Sequence, residues 1–483
     1  MTPAGDLDVN WLTLAPPITL LVTASVALIA ALFLRSSKPI AWLSLAGLFI
    51  TALFTSRLHQ EVQVEPVLSS FGLRYLADGP AIAFIVVILL GATLAVMLSY
   101  DYLRRTGLEH PEYYPLMLLS ACGAVVLASA GDLVTLILGL EIMSLPVYVL
   151  SAWRQKSRES EEAGLKYFLM GAFATAILIY GTALVYGATG HFTFDAISAA
   201  LFAEDFDQHL LATLGGMLVL AGLAFKVALA PFHQWAPDVY TGAPNPVVAF
   251  MSVVVKAAAF AALLRMFAVV YPDLSEHVYV VLAVLIAVTL VIANASALAQ
   301  RGVKRMLGYS AVAHAGYLGL AVLAADTVGV QAAGFYLFAY AFMNIGAFAV
   351  LTLISDASDH GDDIDRFAGL ASTRPFLAAA MAVFMLSLAG IPLTAGFIGK
   401  VMVFQAAIAA GYVVLTVLAI LTSVIAVWYY FRVVGSMYFQ EPEYKLPSRH
   451  DPLASAVVAI AALGTLLFGI LPGWWISVLW VGG

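Results

Sequence analysis

Apolar runs of about 18 to 25 residues recur along the whole sequence, and this repetition restricts how the chain can fold. Each run is long enough to cross a hydrocarbon layer roughly 30 Å thick. Backbone amides and carbonyls inside lipid must pair within the protein, and the runs lack the residue alternation of a β-barrel strand. The sequence therefore predicts an all-α polytopic membrane protein.

Polar breaks divide the sequence into about fourteen predicted transmembrane helices. The spans are placed at 13–34, 40–57, 78–102, 114–130, 132–153, 162–187, 210–235, 245–271, 276–299, 303–323, 328–356, 373–409, 411–438 and 452–475. Lys and Arg are retained in short loops on the cytoplasmic side. With the N-terminus outside, fifteen basic residues fall in inside loops, and only Arg57, Arg74 and Arg265 fall in outside loops. Both termini are therefore predicted on the outer side of the membrane.

Two predicted spans contain Pro and Gly at membrane depth, namely the seventh, around 223–246, and the twelfth, around 386–400. Pro231 and Pro392 have no N–H to donate, so both helices are predicted to be interrupted and to free backbone carbonyls.

The two interruptions occupy the fourth place in two blocks of five spans, 4–8 and 9–13. Because five is an odd number, the second block enters the membrane with the opposite orientation. Inverted repeats with discontinuous helices indicate an ion pathway near the midplane. The predicted segments are a three-helix segment at 1–112, the first repeat at 113–271, the inverted repeat at 272–440 and the C-terminal helix at 441–483.

Composition excludes several classes of function. Hydrophobic residues make up 63% of the chain, and Cys122 is the single cysteine, so the chain alone supplies no disulfide, iron–sulfur cage or thiolate zinc site. The net charge of −7 comes without a basic stripe for nucleic acid, and no soluble segment is large enough to hold a nucleotide. The acidic stretches 204–207 and 356–365 are predicted to be solvated loops rather than metal sites. Any redox chemistry is therefore expected in other chains.

Glu141, Lys226, Lys256 and Lys400 are ionisable residues inside predicted spans. Each such residue costs about 2.5–3.5 kcal/mol at the centre of a membrane helix, so four of them indicate a function. A buried lysine whose protonation responds to a nearby carboxylate can serve in a proton relay. Glu141 is the natural partner for one of these lysines. The alternative is a structural ion pair that holds two helices together.

Four further residues extend the predicted relay, and His233 and Lys304 each have a simpler alternative. His233 follows Lys226 by two helical turns, and both could face one cavity unless the break at Pro231 separates them. The alternative for His233 is a hydrogen bond to freed carbonyls. Lys304, Tyr309 and His314 run along the start of the tenth span, where Lys304 could be a cytoplasmic anchor.

Two further groups of polar residues have a structural alternative. Glu162 and Lys166 are spaced i, i+4 near the start of the sixth span and could be a helix-stabilising pair. Tyr429, with Ser423 on the thirteenth span, could hydrogen-bond a water chain, whereas aromatic packing is the commoner use of such a residue.

Five segments carry a resemblance to a known family. They read GLEIMSLPVYVLSAWR, EEAGLKYFLMGAFATAILIYG, AFKVALAPFHQWAPDVYTGAPNPVVAFMSVVVKAAAF, RMLGYSAVAHAGY and LAGIPLTAGFIGKVMVF. They resemble the subunit N family of bacterial respiratory complex I, the NADH:quinone oxidoreductase, from the third span to the thirteenth. These subunits are antiporter-like, and the resemblance implies a proton-translocating subunit with fourteen helices, inverted repeats and broken seventh and twelfth helices.

The resemblance also implies roles and partners. Glu141 would pair with Lys226, Lys256 and His314 would lie on the central hydrophilic axis, and Lys400 would connect to the outer side. NADH, FMN, iron–sulfur clusters and quinone are expected in partner subunits, with no cofactor in this chain. Other membrane and peripheral subunits, adjacent antiporter-like subunits and membrane lipids are the expected partners.

Three rivals to this interpretation stay open. The first is a subunit of a multisubunit cation/proton antiporter, which belongs to the same superfamily. The second is a scaffold whose buried charges only hold helices together. The third, a transporter of an organic substrate, lacks an obvious substrate pocket in the sequence.

Overall fold

The structure, a computed structural model, describes residues 8–34, 36–155, 157–325, 328–355, 362–442, 444, 451–473 and 475. Four of the basic residues assigned to inside loops, Arg35, Lys156, Lys445 and Arg449, lie outside the described residues. So do both chain ends, at 1–7 and 476–483, and most of the acidic stretch at 356–361.

The chain is almost entirely helical, with one short β-hairpin. The elements are α1 (Trp11–Ala31), α2 (Lys38–Val62), β1 (Val67–Ser70), β2 (Tyr75–Asp78), α3 (Gly79–Arg105), α4 (Tyr113–Ala128), α5 (Leu133–Ser151), α6 (Arg158–Thr189), α7 (Phe194–Leu201), α8 (His209–Val227), α9 (Trp235–Gly242), α10 (Asn245–Val269), α11 (Tyr271–Leu274), α12 (Glu276–Leu298), α13 (Val303–Val322), α14 (Gly329–Ile354), a 3-10 turn (Ile364–Phe367), α15 (Leu370–Thr373), α16 (Pro375–Ala389), α17 (Ala395–Ala409), α18 (Val413–Phe439) and α19 (Pro452–Ile470).

Eleven helices of the described part of the chain are long and apolar enough to cross a membrane. Three further apolar helices are shorter, namely α4, α16 and α17. The chain is thus a multi-pass membrane protein, and the prediction of an all-α fold is confirmed.

The hairpin was not predicted from the sequence, where residues 67–78 separate the second and third spans. β1 pairs with β2 in antiparallel register from Val67–Asp78 to Ser70–Tyr75. Gly72 at the tip has φ +65°, a left-handed conformation that glycine adopts without strain.

Two helices, α10 and α14, form the centre of the bundle. They are the two candidate spans whose apolar windows are completely buried within the protein. α10 packs against α3 and α14, and α14 also packs against α16, α17 and α19. The outer helices α1, α2, α6, α12 and α18 bury less than half of their windows and expose apolar side chains, as lipid-facing helices do. Polar groups on α10 and α14 are therefore shielded from lipid.

Both predicted helix interruptions are present. α8 ends at Val227, where Ala228 turns the chain with φ +63°, and helical structure resumes at Trp235 in α9. α16 ends at Ala389, followed by Gly390 with φ +85°, and α17 begins at Ala395. Pro231 and Pro392 lie in the two gaps, as expected of residues that have no N–H for the backbone hydrogen bonds of a helix.

Several basic residues that were assigned to loops lie within helices, among them Arg57 in α2, Arg432 in α18 and Arg265 in α10. Arg265 was predicted in an outside loop, but it lies in α10, where it donates to both oxygens of Asp78 at 2.7 and 2.9 Å. Asp78 also caps α3 by accepting from the Ala81 N–H at 2.9 Å. Burial disfavours the carboxylate, but Arg265 and these hydrogen bonds outweigh burial and lower the pKa of Asp78. The pair joins α10 to the start of α3.

Candidate functional site

Three lysines predicted inside spans are deeply buried. The exposed fractions of Lys226, Lys256 and Lys400 are 3%, 5% and 4%. Among the described residues, none of their ammonium groups forms an ion pair with a carboxylate within 4.0 Å. All three bind hydroxyl or carbonyl oxygens instead, and neutral acceptors leave a lysine freer to lose its proton than a carboxylate does.

Lys226 lies in the last turn of α8 and contacts two hydroxyls on α5. Its Nζ donates to Ser144 Oγ at 2.7 Å and to Tyr148 Oη at 2.9 Å. It also lies 5.0 Å from the centre of the Tyr148 ring, a cation–π distance. The helix break positions Lys226, because α8 stops one residue after it.

Glu141 does not form the direct ion pair with Lys226 that the resemblance implied. Its Oε1 accepts from Thr175 Oγ1 on α6 at 2.7 Å, and the side chain is only half-buried. Ser144, which accepts from Lys226, follows Glu141 by one turn on α5 and therefore shares its face. The carboxylate thus lies near the lysine, but a hydroxyl makes the contact.

A narrow cavity connects Lys226 with Lys256. Both lysines line it, together with Trp235, Tyr240 and Ala311. Lys256 Nζ, on the buried α10, donates to the Ala311 carbonyl of α13 at 2.6 Å. The two ammonium groups therefore border one space inside the bundle.

His314 lies between Lys256 and Lys400 along α13. It follows Ala311, the acceptor of Lys256, by one turn and precedes Tyr317 by one turn. Lys400 Nζ lies 4.9 Å from the centre of the Tyr317 ring. The fully buried His314 ring hydrogen-bonds Tyr336 Oη through Nδ1 at 2.6 Å and Tyr430 Oη through Nε2 at 3.2 Å.

Lys400 uses the carbonyls that the second helix break frees. Its Nζ donates to the carbonyls of Leu388 and Ala389 at 3.0 and 2.9 Å and to Ser423 Oγ at 2.7 Å. The predicted interruption before Pro392 is confirmed, and the structure adds that Lys400 binds two carbonyls at that helix end.

Tyr429 belongs to an aromatic cluster beside His314. Its hydroxyl donates to Asn294 Oδ1 at 3.1 Å, and its ring lies 4.5 Å from that of Tyr430. Tyr430 in turn shares a 2.5 Å hydrogen bond with Ser310. The sequence analysis missed Asn294, Tyr336 and Tyr430. Of these, Asn294 carries a usable signal, because it is a strongly polar residue inside an apolar run.

His233 does not share a cavity with Lys226 in the way that two helical turns suggested. The helix ends at Val227, so the spacing does not apply, and His233 is absent from the lining of the cavity between the two lysines. Its buried Nδ1 has no hydrogen-bond partner among the described residues.

The residues at the start of α13 contact different partners. Lys304 is buried and donates to the Ala243 carbonyl at 2.7 Å, so it is not an exposed anchor. Tyr309 is half-buried, and the Arg305 guanidinium lies 6.0 Å from its ring centre. Of the predicted triplet, only His314 contacts the central tyrosines.

The predicted Glu162–Lys166 pair is present and belongs to a larger network. Lys166 Nζ lies 3.2 Å from Glu162 Oε1 and 2.5 Å from Asp238 Oδ2 of α9. Arg305 also binds Asp238, at 2.8 Å. The sequence analysis missed Asp238, whose carboxylate joins α6, α9 and α13 beside the first helix break.

Comparisons with known proteins show the family to which the chain belongs. Residues 130–426 match the family described as NADH:quinone oxidoreductase/Mrp antiporter, TM, so the fold and the site define an antiporter-like membrane subunit. A relative from Trichlorobacter lovleyi, NADH-quinone oxidoreductase subunit N, is 41% identical over 468 residues, covering 96% of this chain and 95% of the relative. The chain belongs to the NADH-quinone oxidoreductase subunit N family.

Solved structures share the fold. A chain of respiratory complex I from Thermus thermophilus with bound aureothin is 38% identical, with a TM-score of 0.82 covering 97% of this chain and 100% of that chain. A chain of the Mrp complex from Dietzia sp. is 22% identical, with a TM-score of 0.84 covering 97% and 95%. The second likeness shows a common fold alone.

Proposed function

We propose that the chain carries protons across the membrane along a row formed by Lys226, Lys256, His314 and Lys400. The observation that carries the proposal is the bonding of the three buried lysines, whose ammonium groups donate to hydroxyls and carbonyls. A carboxylate within ion-pair distance would hold a lysine in its charged form, whereas neutral acceptors allow it to take up and release a proton.

Each residue of the row has a distinct task in this proposal. Lys226 exchanges protons with Lys256 across the shared cavity, and the Glu141 carboxylate sets how strongly Lys226 holds its proton. His314 and its tyrosine partners connect Lys256 to Lys400 along α13. Lys400 delivers the proton to the outer side. His233, Lys304, Tyr309 and the Glu162–Lys166 pair lie outside this row.

The proposal also extends to the assembly. The chain acts as a non-redox subunit of NADH:quinone oxidoreductase in a bacterial inner membrane, next to other antiporter-like subunits and lipids. NADH, FMN, iron–sulfur clusters and quinone are bound by partner subunits, and quinone reduction there drives the protons. Fourteen helices with both termini outside, and two inverted repeats at 113–271 and 272–440, complete the proposed architecture.

The test is NADH-driven proton pumping by vesicles that contain the Lys226→Ala complex. We expect the complex to assemble while pumping falls roughly tenfold or more, because alanine carries no proton. Lys38→Ala is the matched control, since Lys38 lies at the start of α2 beside Tyr100 and outside the row. Wild-type pumping by an assembled Lys226→Ala complex would show that the lysine is structural.

A further inference from the structure

Asn344 is a completely buried amide in the middle of α14, one of the two central helices. Its Nδ2 donates to Ser252 Oγ on α10 at 2.7 Å. Its Oδ1 has no hydrogen-bond partner among the described residues. Buried polar atoms are generally satisfied, so an orphaned acceptor at this depth calls for a donor.

The hydrogen bonds of Ser252 fix the direction of this amide. The Ser252 hydroxyl donates to the Ala249 carbonyl at 2.9 Å, so its oxygen must act as the acceptor toward α14. A flipped Asn344 would present its oxygen to an oxygen whose hydrogen is already used. The unused atom of Asn344 is therefore an acceptor, which suits a proton-bearing ligand.

A second orphaned group lies one turn away on the same face of α14. Tyr340 precedes Asn344 by four residues, is completely buried, and its Oη also has no partner among the described residues. The Tyr340 ring faces Lys256 Nζ at 5.0 Å and the His314 ring at 5.1 Å. The Tyr340 ring thus lies beside the Lys256 ammonium, and Asn344 lies one turn further along α14, beside Ser252 of α10.

The side-chain directions make the three groups converge. Side chains lean toward the N-terminus of their own helix, so Lys256 leans toward the level of Ser252. Asn344 leans toward Tyr340 by the same rule, because Tyr340 lies N-terminal to it on α14. Lys256, Asn344 and Tyr340 therefore face one layer between the two central helices.

We propose that Asn344 Oδ1 and Tyr340 Oη bind an ordered water that hydrogen-bonds the Lys256 ammonium and passes protons to it. This inference rests on the proposed function and deepens it, because it names the group that exchanges the proton with Lys256. Asn344 is a positioning residue here: it holds the water, and the water exchanges the proton with Lys256.

The test uses the intact complex with Asn344→Leu, which keeps the size of the side chain and removes both polar atoms. We expect a several-fold loss of NADH-driven pumping, with Asn344→Gln retaining more of it because the amide keeps both its donor and its acceptor. Thr352→Val is the control on the same helix, since the Thr352 hydroxyl bonds only its own helix at Phe348. Pumping by Asn344→Leu at the level of that control would overturn the proposal.

A cryo-electron microscopy map of the wild-type complex supplies a second measurement that does not depend on a variant folding. We expect water density within hydrogen-bond distance of Asn344 Oδ1, and its absence from a map that resolves other buried waters would also overturn the proposal. Lys256→Met separates this inference from the function it rests on. Normal pumping by the Asn344→Leu complex together with impaired pumping by the Lys256→Met complex would refute the water site alone. Normal pumping by the Lys256→Met complex would refute the proposed proton path itself.

Discussion

The Lys400→Met complex is expected to pump protons at a rate about tenfold lower than wild type, or slower, because methionine carries no exchangeable proton. The change also removes the donor that satisfies the carbonyls of Leu388 and Ala389 and the hydroxyl of Ser423. Proton pumping and quinone reduction should be measured on vesicles from the same preparation, with the assembled complex quantified on native gels.

Lys400→Arg distinguishes the two consequences of that change. Arginine keeps N–H donors for the freed carbonyls, but it does not release its proton at physiological pH. The arginine complex should therefore assemble and still fail to pump. Ser423→Ala is the matched control, because it removes one of three acceptors and leaves the lysine in place. Pumping by Lys400→Arg at the wild-type rate would mean that Lys400 serves structure only.

Arg265→Met is expected to destabilise the protein by about 3–5 kcal/mol, because it leaves the Asp78 carboxylate buried without its partner. The measurement is the thermal denaturation of the detergent-purified complex and the fraction of complex that retains this subunit. Arg57→Met is the control, since Arg57 is 62% exposed and its pair with Glu61 should contribute less than about 1 kcal/mol.

A double variant tests the cause of this loss. Asp78→Asn combined with Arg265→Met removes both charges and keeps an N-cap residue for α3, so it should recover part of the stability. The folded-state pKa of Asp78 is lowered, so its contribution is present above the unfolded-state pKa and is lost as pH falls through the folded value. The destabilisation should therefore persist at neutral pH. If the double variant is no more stable than Arg265→Met, the pair is not the cause.

Much of the fold could be predicted because lipid imposes a simple length rule. Runs of apolar residues mark helices, and Pro231 and Pro392 mark the two interruptions. The hairpin at β1 and β2 was missed because it lies in a connection that carries no hydrophobic signal for a span. Arg265 was assigned to a loop because a charged residue near the end of a span usually marks the loop. Its partner Asp78 is far away in sequence, so the sequence does not show that the charge is neutralised inside the bundle.

The buried lysines could be predicted, but their partners could not. Placing a lysine in a membrane helix costs free energy, so a lysine inside an apolar run indicates a function. Lys226, Lys256 and Lys400 can therefore be identified from the sequence. Tyr336 and Tyr430 cannot be identified in the same way, because tyrosine also occurs in ordinary packing between membrane helices. The pairing of Glu141 with Lys226 stays a prediction, because in the structure Thr175 donates to the carboxylate and Lys226 donates to Ser144.

Two alternatives to a respiratory proton path make different predictions. A cation/proton antiporter subunit would support sodium-dependent transport in vesicles that lack any NADH dehydrogenase. A scaffold would tolerate neutral, shape-preserving replacements of the buried lysines without loss of pumping. The membership of this chain in the subunit N family favours the respiratory path over the antiporter.

The central claim is that the buried lysines exchange protons rather than only hold a charge, and Lys256→Arg tests it most directly. Lys256 lies in the middle of the row, on a completely buried helix, and donates to a single carbonyl, that of Ala311. The measurement is the number of protons pumped per NADH oxidised by the assembled complex. We predict a clear fall in that ratio or an arrest of turnover, because arginine keeps the charge and does not exchange the proton. A wild-type ratio at the wild-type rate would contradict the account.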